Sequence, residues 1–216
     1  MRLLNPPSPA QKFGRPLGVT RKNTDASKRL YGFKPIVNTH TRVMIFGSFP
    51  GVASLEKKEY YGNRLNHFWF IMSRVTGVDM VSLTYAAKRR TLLACGIGLW
   101  DVIGSCRRQG SLDQKITDCR LNNLAGLLRS HPRIKAVFFN GRTAQKFFMH
   151  HSSSLCGQKE SYIPAGLYWK YLPSTSPANA GMAVQEKIRV WRKALGKEGV
   201  CAGDLRKRGT NERGVV

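Results

Sequence analysis

The chain has 216 residues, of which 36 are Lys or Arg and 12 are Asp or Glu, so its formal net charge is +24. The length suits one domain with tails, and a 42% hydrophobic fraction is enough for a core. No apolar run approaches the ~20 residues of a membrane-spanning helix, and the N-terminus lacks the apolar core of a secretory signal. We therefore expect an intracellular protein with no membrane partner.

The basic excess extends along the whole chain. Residues 1–41 hold 8 basic and 1 acidic residue, residues 42–196 hold 23 and 8, and residues 197–216 hold 5 and 3. A surface of this sign attracts polyanions, and the release of counterions from nucleic acid supplies affinity that does not depend on sequence. The charge favours a nucleic-acid partner over a basic surface of the ribosomal or anionic-membrane kind.

The cysteine pattern gives no metal site. Five cysteines are spread along the chain, and no two of them form a C-x-x-C pair. A zinc ribbon or an iron–sulfur cluster therefore has no evident set of ligands. An odd number of scattered cysteines is typical of reduced thiols inside the cell. We expect neither a metal nor a cofactor.

Both ends of the chain are predicted to be tails. Residues 1–41 contain several prolines, scattered basic residues and little hydrophobic periodicity, so they are predicted to form a basic, mostly disordered arm. Their Arg and Ser residues and few acids also fit a mitochondrial transit peptide, although no clean amphipathic helix is visible. Residues 197–216 are predicted to be a flexible basic tail. The domain itself is predicted to span residues 42–196.

Within this domain, short apolar runs alternate with helical patterns. The runs predict buried strands at residues 42–47, 96–102, 134–141 and 167–173. Helices are predicted at residues 67–76, 82–94, 121–130, 143–150 and 183–195, the last of them stopped by Gly196. This alternation predicts an α/β fold, a three-layer α/β/α arrangement around a central, mostly parallel four-stranded sheet. Functional loops then gather at the carboxyl ends of the strands.

The first of these loops is "GSFPG", residues 47–51, which follows the first strand. Two glycines and a proline make a tight turn whose backbone amides can approach a ligand closely. The segment matches neither the P-loop nor the dinucleotide-binding pattern. A purely structural turn is an equally good interpretation.

The segment "YYGNRLNHFW", residues 60–69, carries more chemistry. Tyr60 and Tyr61 offer flat rings for stacking, and each has a hydroxyl group. Asn63 and Asn66 combine a donor and an acceptor, which suits the edge of a nucleobase or a positioned water molecule. Asn66 could instead simply cap the helix that follows. The Phe and Trp residues of the segment are most simply explained as core.

The other strands also end in polar residues. Asp101 follows the second strand and is the one acid placed at a strand end, whereas Asn140 and Gly141 follow the third. The fourth strand leads into "LPSTSPANAG", residues 172–181, whose hydroxyl and backbone donors could bind phosphate oxygens or merely form an ordinary loop. Neither G-x-S-x-G nor H-E-x-x-H occurs, so two common hydrolytic motifs are missing.

Five segments together resemble the uracil-DNA glycosylase superfamily, most closely its hypoxanthine-DNA (deoxyinosine) glycosylase branch. They occur in the order of that family: "GSFPGVASL", "YYGNRLNHFW", "GIGLWDVIGSCRRQGSLD", "VFFNGRTAQKFF" and "LPSTSPANAG". The resemblance covers residues 42–195, which is nearly all of the predicted domain.

The resemblance implies a base pocket. The "GSFPG" loop, with Gly47, Ser48, Phe49 and Pro50, would hold the flipped base and the attacking water. Tyr61 corresponds to an aromatic residue that stacks on that base.

The resemblance also implies further roles inside the pocket. Asn66 corresponds to the asparagine on which catalysis in this branch depends. Asp101 lies where pyrimidine-specific relatives have a base-reading asparagine, and Asn140 would also bind the base. Leu172 stands where the uracil enzymes have a catalytic histidine, which disfavours their way of assisting the leaving group.

Contacts with the DNA backbone follow from the same comparison. The "LPSTSPA" segment corresponds to a motif that enters the minor groove and keeps the target nucleotide extruded, which implies DNA contacts for Pro173, Ser174, Thr175 and Ser176. Arg64 would add a basic contact. The chain has Asn63-Arg64 where this branch usually has His-Pro.

The function that the resemblance implies is base excision. The partner would be double-stranded DNA containing a deaminated base, and the product would be an abasic site made by a monomeric enzyme in the cytoplasm, nucleoid or nucleus. Hypoxanthine is the expected base, and uracil or G·T/U mismatches are the alternative. A catalytically silent nucleic-acid-binding protein on the same scaffold is a further alternative.

Overall fold

The computed structural model describes residues 28–154 and 166–200. Its strands are β1 (Leu30–Tyr31), β2 (Val43–Gly47), β3 (Ile97–Asp101), β4 (Ile103–Arg108), β5 (Ile116–Leu121), β6 (Ala136–Asn140) and β7 (Tyr168–Leu172). Its α-helices are α1 (Val52–Lys57), α2 (Phe68–Thr76), α3 (Tyr85–Ala94), α4 (Leu124–Ser130), α5 (Arg142–Ser154) and α6 (Val184–Lys197). A short 3₁₀ helix covers Asp113–Lys115. No helix in the described ranges is long and apolar enough to cross a membrane.

The central sheet is four-stranded and parallel, in the order β3-β2-β6-β7. Every residue of β2 is buried, as expected for a parallel strand with both faces covered. The register pairs Gly47 with Asp101 and Asn140 with Leu172, so the last residues of the strands meet at one edge. The predicted α/β fold and its four strands are confirmed.

Helices cover both faces of this sheet. Ile45 of β2 packs on one face in a cluster with Phe68 of α2 and Trp191 of α6. Its neighbour Phe46 packs on the other face in a cluster that includes Leu127 of α4. The alternation of side chains along a strand explains why consecutive residues serve opposite layers. The helix α6 runs through Gly196 to Lys197, so the predicted stop was wrong.

A second sheet was not predicted. It is antiparallel, in the order β1-β4-β5, and its hairpin follows β3 after a single residue. Ile103 and Cys106 of this hairpin pack with Phe49 in a small separate cluster. The strand β5 has no fully buried residue, which explains why its sequence lacks a clear apolar run. The hairpin brings Arg108 and the following 3₁₀ helix to the edge of the central sheet.

The folded domain begins before residue 42. The backbone of Ile36 exchanges hydrogen bonds with Leu99 of β3, at 2.8 and 2.9 Å. The indole of Trp100 donates to the Phe33 carbonyl oxygen at 2.9 Å. The predicted disordered arm therefore extends too far at its C-terminal side. Val200 is buried as well, so the domain also continues past residue 196. The remaining parts of both predicted tails, residues 1–27 and 201–216, lie outside the described residues.

Candidate active site

Asn140, the last residue of β6, joins two of the loops at the carboxyl edge of the sheet. Its Nδ2 donates to the Tyr61 hydroxyl oxygen at 3.1 Å and to Thr175 Oγ1 at 2.9 Å. Its Oδ1 accepts from the Thr175 backbone N–H at 2.9 Å. Both amide hydrogens are therefore used. Asn140 was predicted to bind the base; here it positions its two neighbours, and a contact with the base stays a prediction.

Tyr61 has a strained backbone and one occupied ring face. Its φ is +55°, which is uncommon for a residue other than glycine and is found most often where function requires it. Its ring stacks on the buried ring of Phe68, with centroids 3.7 Å apart and an interplanar angle of 14°. A base can therefore stack only on the opposite face of Tyr61. Burial raises the pKa of its phenol, so the hydroxyl remains neutral.

Tyr60 does not share this position. It is buried, and its ring meets that of Phe33 edge-on at 5.1 Å. Its backbone oxygen accepts a hydrogen bond from the indole of Trp69 at 3.2 Å. Of the two adjacent tyrosines, Tyr60 belongs to the core and Tyr61 to the site.

Asn66 lies two residues before the start of α2. Its Oδ1 accepts from the backbone N–H of Phe68, the first residue of α2, at 3.0 Å, although the N-cap position itself is held by His67. Its backbone N–H donates to Asn63 at 2.9 Å, and its Nδ2 has no hydrogen-bond partner among the described residues. The next residue, His67, donates its backbone N–H to the Thr175 carbonyl oxygen at 3.0 Å. Asn66 is thereby held beside the loop that also fixes Tyr61.

Gly47 and Asp101 lie in contact at the ends of β2 and β3. A Cβ atom on Gly47 would be 2.4 Å from Asp101 Oδ1 and 3.7 Å from the Tyr61 hydroxyl oxygen. Only glycine permits this approach of backbone to carboxyl group. Asp101 is 4% exposed, and its Oδ2 has no hydrogen-bond partner in the described part of the chain.

The environment of Asp101 favours its neutral form. Burial and the negative charge of Asp113 raise the pKa of Asp101, the Arg108 guanidinium lowers it, and the net result is a pKa of about 8. Asp113 accepts a hydrogen bond from Ser48 Oγ at 2.6 Å and lies 4.0 Å from Arg108. Asp101 is thus a buried carboxylic acid with an unoccupied oxygen.

Arg108 and Asp113 were missed as site residues. Arg108 is buried, and its Nε and Nη1 have no hydrogen-bond partner within the described residues. It donates to the Pro50 carbonyl oxygen and lies over the Phe49 ring at 5.0 Å. Both missed residues lie in the quoted segment "GIGLWDVIGSCRRQGSLD", but a buried arginine on a surface hairpin has no signature in sequence. Within the described ranges, no three His, Cys, Asp or Glu side chains cluster as a metal ion would need.

Phe49 was predicted to bind the base, but its side chain packs elsewhere. It is 6% exposed and lies in the cluster with Ile103 and Cys106, between the first loop and the antiparallel sheet. With Arg108 over its ring, Phe49 packs the first loop against the antiparallel sheet. Its side chain therefore does not contact the base, and a base contact through the backbone of this loop stays a prediction.

The predicted DNA-binding residues fall into two groups. Thr175 is fully buried, and its backbone and hydroxyl groups bond to Asn140 and His67, so the predicted phosphate contact is corrected to a positioning role. Ser174 and Ser176 are only partly buried, and Arg64 is exposed. Pro173 is also partly buried, and its carbonyl oxygen is anchored by the indole of Trp191 at 2.9 Å.

Comparison with known proteins identifies the family. A family model described as the uracil DNA glycosylase superfamily matches residues 35–195. A protein from Methanosarcina acetivorans named hypoxanthine DNA glycosylase is 36% identical over 149 residues, covering 68% of this chain and 87% of that protein. One of the same name from Methanosarcina barkeri is 36% identical over 116 residues, covering 54% and 73%. A solution NMR structure of an M. acetivorans protein, provisionally named a uracil DNA glycosylase, has a TM-score of 0.62 and 32% identity, and the match covers 77% of this chain and 98% of that one. The chain belongs to the uracil DNA glycosylase superfamily.

Proposed function

We propose that this protein is a DNA glycosylase that removes hypoxanthine from double-stranded DNA and leaves an abasic site. The relatives named hypoxanthine DNA glycosylase, at 36% identity, support this choice of base. The basic charge of +24 supports DNA as the substrate, because phosphate neutralisation supplies affinity.

The observation that carries the proposal is a chain of hydrogen bonds around Thr175. Tyr61 bonds to Asn140, Asn140 bonds to Thr175, and Thr175 bonds to His67, which follows Asn66. One buried residue thus sets the relative position of the ring that would stack on the base and the amide that would orient the water. Such positioning is what excision of a base requires.

Extrusion of the nucleotide comes first. A base inside a duplex cannot be reached, and unstacking it costs a few kcal/mol, less for a mispaired base such as hypoxanthine opposite thymine. Ser174, Ser176 and Arg64 would offset part of this cost through contacts with phosphates. Each of them lies on one of the two loops that Thr175 joins.

Excision then depends on the base and the water. The flipped purine would stack on the Tyr61 face opposite Phe68. Asn66 Oδ1 is held by the Phe68 backbone N–H at 3.0 Å, and its second lone pair accepts a hydrogen from the attacking water. That water attacks the cationic sugar as the N-glycosidic bond breaks. Hydrogen-bond donors of the protein that face C6 of the base would pair with the carbonyl oxygen of hypoxanthine. Adenine has an amino group there and would leave these donors unsatisfied.

One oligonucleotide panel tests the proposal. Duplexes with a single deoxyinosine, deoxyuridine or mismatched thymine are incubated with the protein and cleaved at abasic sites with hot alkali. We expect cleavage at deoxyinosine to dominate. Dominant cleavage at deoxyuridine or at the mismatched thymine would instead support a uracil or mismatch glycosylase, and binding without any cleavage would support a silent DNA-binding protein.

The salt dependence of DNA binding tests the role of the charge. If the charge binds phosphates, the logarithm of the association constant falls linearly with the logarithm of the salt concentration, with a slope of about −0.9 per phosphate. A flat response would mean that the charge serves another partner. Filter binding or fluorescence anisotropy with an undamaged duplex measures this.

We further propose a monomer that works inside the cell. Sedimentation in the absence of DNA tests the first point. The second is tested by the location of a tagged protein with and without residues 1–41. Loss of mitochondrial signal on removal of this segment would identify it as a transit peptide.

A further inference from the structure

The departing base carries negative charge that must be stabilised, and the residue at the end of β7 cannot do this. Leu172, at the end of β7, is fully buried and apolar. It can neither donate a hydrogen bond nor carry a charge toward the departing base. If the chain removes a purine, another group must stabilise the electrons that the base takes with it.

Asp101 is the acid that the fold places for this task. It ends β3, directly beside Gly47 of β2 in the register of the sheet. Its Oδ1 and the Tyr61 hydroxyl oxygen both lie within 3.7 Å of one point above Gly47. A purine stacked on the Tyr61 ring face opposite Phe68 would therefore lie near this carboxyl group. Its Oδ2 is buried and has no partner among the described residues, and an unsatisfied polar atom of this kind calls for an explanation.

We propose that Asp101 is the general acid of the reaction and transfers its proton to N7 of the departing hypoxanthine. This inference rests on the proposed function. It gives Asp101 a catalytic role that is distinct from recognition of the base.

The C1′–N9 bond breaks, its electron pair moves into the purine, and the Asp101 proton joins N7, so that neutral hypoxanthine leaves. The water that Asn66 orients adds to the cationic C1′ and loses one proton. That proton returns to the Asp101 carboxylate directly or through solvent, and the enzyme is restored.

The groups around Asp101 explain why it holds its proton. Arg108 of β4 is the cation that faces it, and Asp113 of the 3₁₀ helix is the opposing anion. Tyr60, Tyr61 and Tyr85 also interact with its charge, and each of them has a raised pKa and stays neutral. With the pKa of Asp101 at about 8, the acid is protonated at neutral pH and loses its proton above pH 8.

A modified substrate tests the transfer without altering the protein. In 7-deaza-2′-deoxyinosine a C–H group replaces N7, so no proton can be accepted there. Single-turnover excision by the wild-type protein should fall by about 10²–10⁴-fold on this substrate, which is the usual contribution of a general acid. The Asp101→Asn variant should excise deoxyinosine more slowly by a similar factor. It should show at most a small further loss on the 7-deaza substrate, because both changes remove the same step.

The pH profile gives an independent measurement. The wild-type rate should fall about tenfold per pH unit above pH 8. Asp101→Asn supplies the baseline, because the N1–H of the substrate also ionises in alkaline solution. The matched control is Asp113→Asn, which removes the neighbouring anion, lowers the pKa of Asp101 and should move the decline to lower pH.

The outcomes separate the two proposals. Equal 7-deaza effects in the wild-type protein and Asp101→Asn, or identical pH profiles, would overturn the role of Asp101 as general acid. Failure of the wild-type protein to excise deoxyinosine at all would instead overturn the proposed function. DNA binding and thermal unfolding of Asp101→Asn show whether the variant is folded, and the wild-type result on the 7-deaza substrate does not depend on it.

Discussion

The two sides of the candidate site differ in how fully their polar groups are satisfied. On the Asn140 side, the side-chain amide of Asn140 and the backbone of Thr175 are bonded to each other and to neighbouring loops. On the Asp101 side, Asp101 Oδ2 and two nitrogens of Arg108 are buried and have no hydrogen-bond partner among the described residues. On the Asn140 side, His67 Nδ1 is the one buried atom of this kind among the described residues, so that side is nearly complete and the Asp101 side is not.

This difference suggests separate tasks. A satisfied network holds loops in one arrangement, whereas an unsatisfied buried group costs about 1–3 kcal/mol and persists where function requires it. We infer that the Asn140 side positions Tyr61 and Asn66, and that the Asp101 side meets the polar atoms of the base. Substitutions on the two sides should therefore change different measurements.

The largest effect is expected at Asn66, on the edge of the satisfied side. Asn66→Ala should lower single-turnover excision by more than about 10²-fold, because the water loses its orientation, and should retain most of the DNA affinity. Loss of the hydrogen bond from the Phe68 N–H also lowers the free energy of unfolding by about 1 kcal/mol. Asn66→Asp is the control for helix stability, because its carboxylate can still accept the hydrogen bond from the Phe68 N–H. Full activity in Asn66→Ala would refute the assignment.

A pair of glycine substitutions compares the two sides directly. Gly47→Ala places a methyl group against Asp101 Oδ1, at 2.4 Å before any shift, and should lower excision by about 10². Gly141→Ala, on the other side, puts alanine at a φ of +99° and within 2.9 Å of Ser174 Cβ. It should mainly lower stability, by about 1–3 kcal/mol. Excision rates and denaturant unfolding of both variants separate the effects, and a reversed pattern would contradict the division of tasks.

Most of the central fold could be predicted from sequence, because parallel strands buried on both faces are short, uniformly apolar runs. The strands predicted at residues 42–47 and 134–141 agree with the structure to within two residues at each end. The antiparallel hairpin could not be predicted, since β5 has no fully buried residue and mixes polar with apolar positions. The ordering of residues 28–41 was missed because it depends on pairing with β3 and β4, which are distant in the sequence.

The site was predictable only in part, for a similar reason. The family motifs predicted Tyr61, Asn66 and Asp101 as site residues, and the fold places them at one edge of the sheet. The burial of Thr175 and the use of both Asn140 hydrogens depend on packing between loops, which no local pattern encodes. The same holds for the buried Arg108, since an arginine on a short hairpin is normally solvated.

A smaller effect is expected at Tyr61. Tyr61→Ala should weaken excision by an amount equivalent to about 1–3 kcal/mol, the usual contribution of one base–aromatic stack. Tyr61→Phe keeps the ring and removes the hydroxyl that accepts from Asn140, so it should lose less. Single-turnover rates on deoxyinosine opposite thymine measure both variants. A greater loss in Tyr61→Phe than in Tyr61→Ala would mean that the hydroxyl, rather than the ring, is needed.

The smallest effect is expected at Thr175. It shows whether this residue anchors its loop or contacts DNA. Thr175→Val removes Oγ1 and leaves one Asn140 hydrogen unpaired, so the free energy of unfolding should fall by about 1 kcal/mol. DNA affinity should not change, because the residue is fully buried. Ser176→Ala is the matched substitution on the same loop, and it should weaken DNA binding with little effect on stability. A loss of affinity in Thr175→Val at unchanged stability would restore the phosphate contact first predicted for this residue.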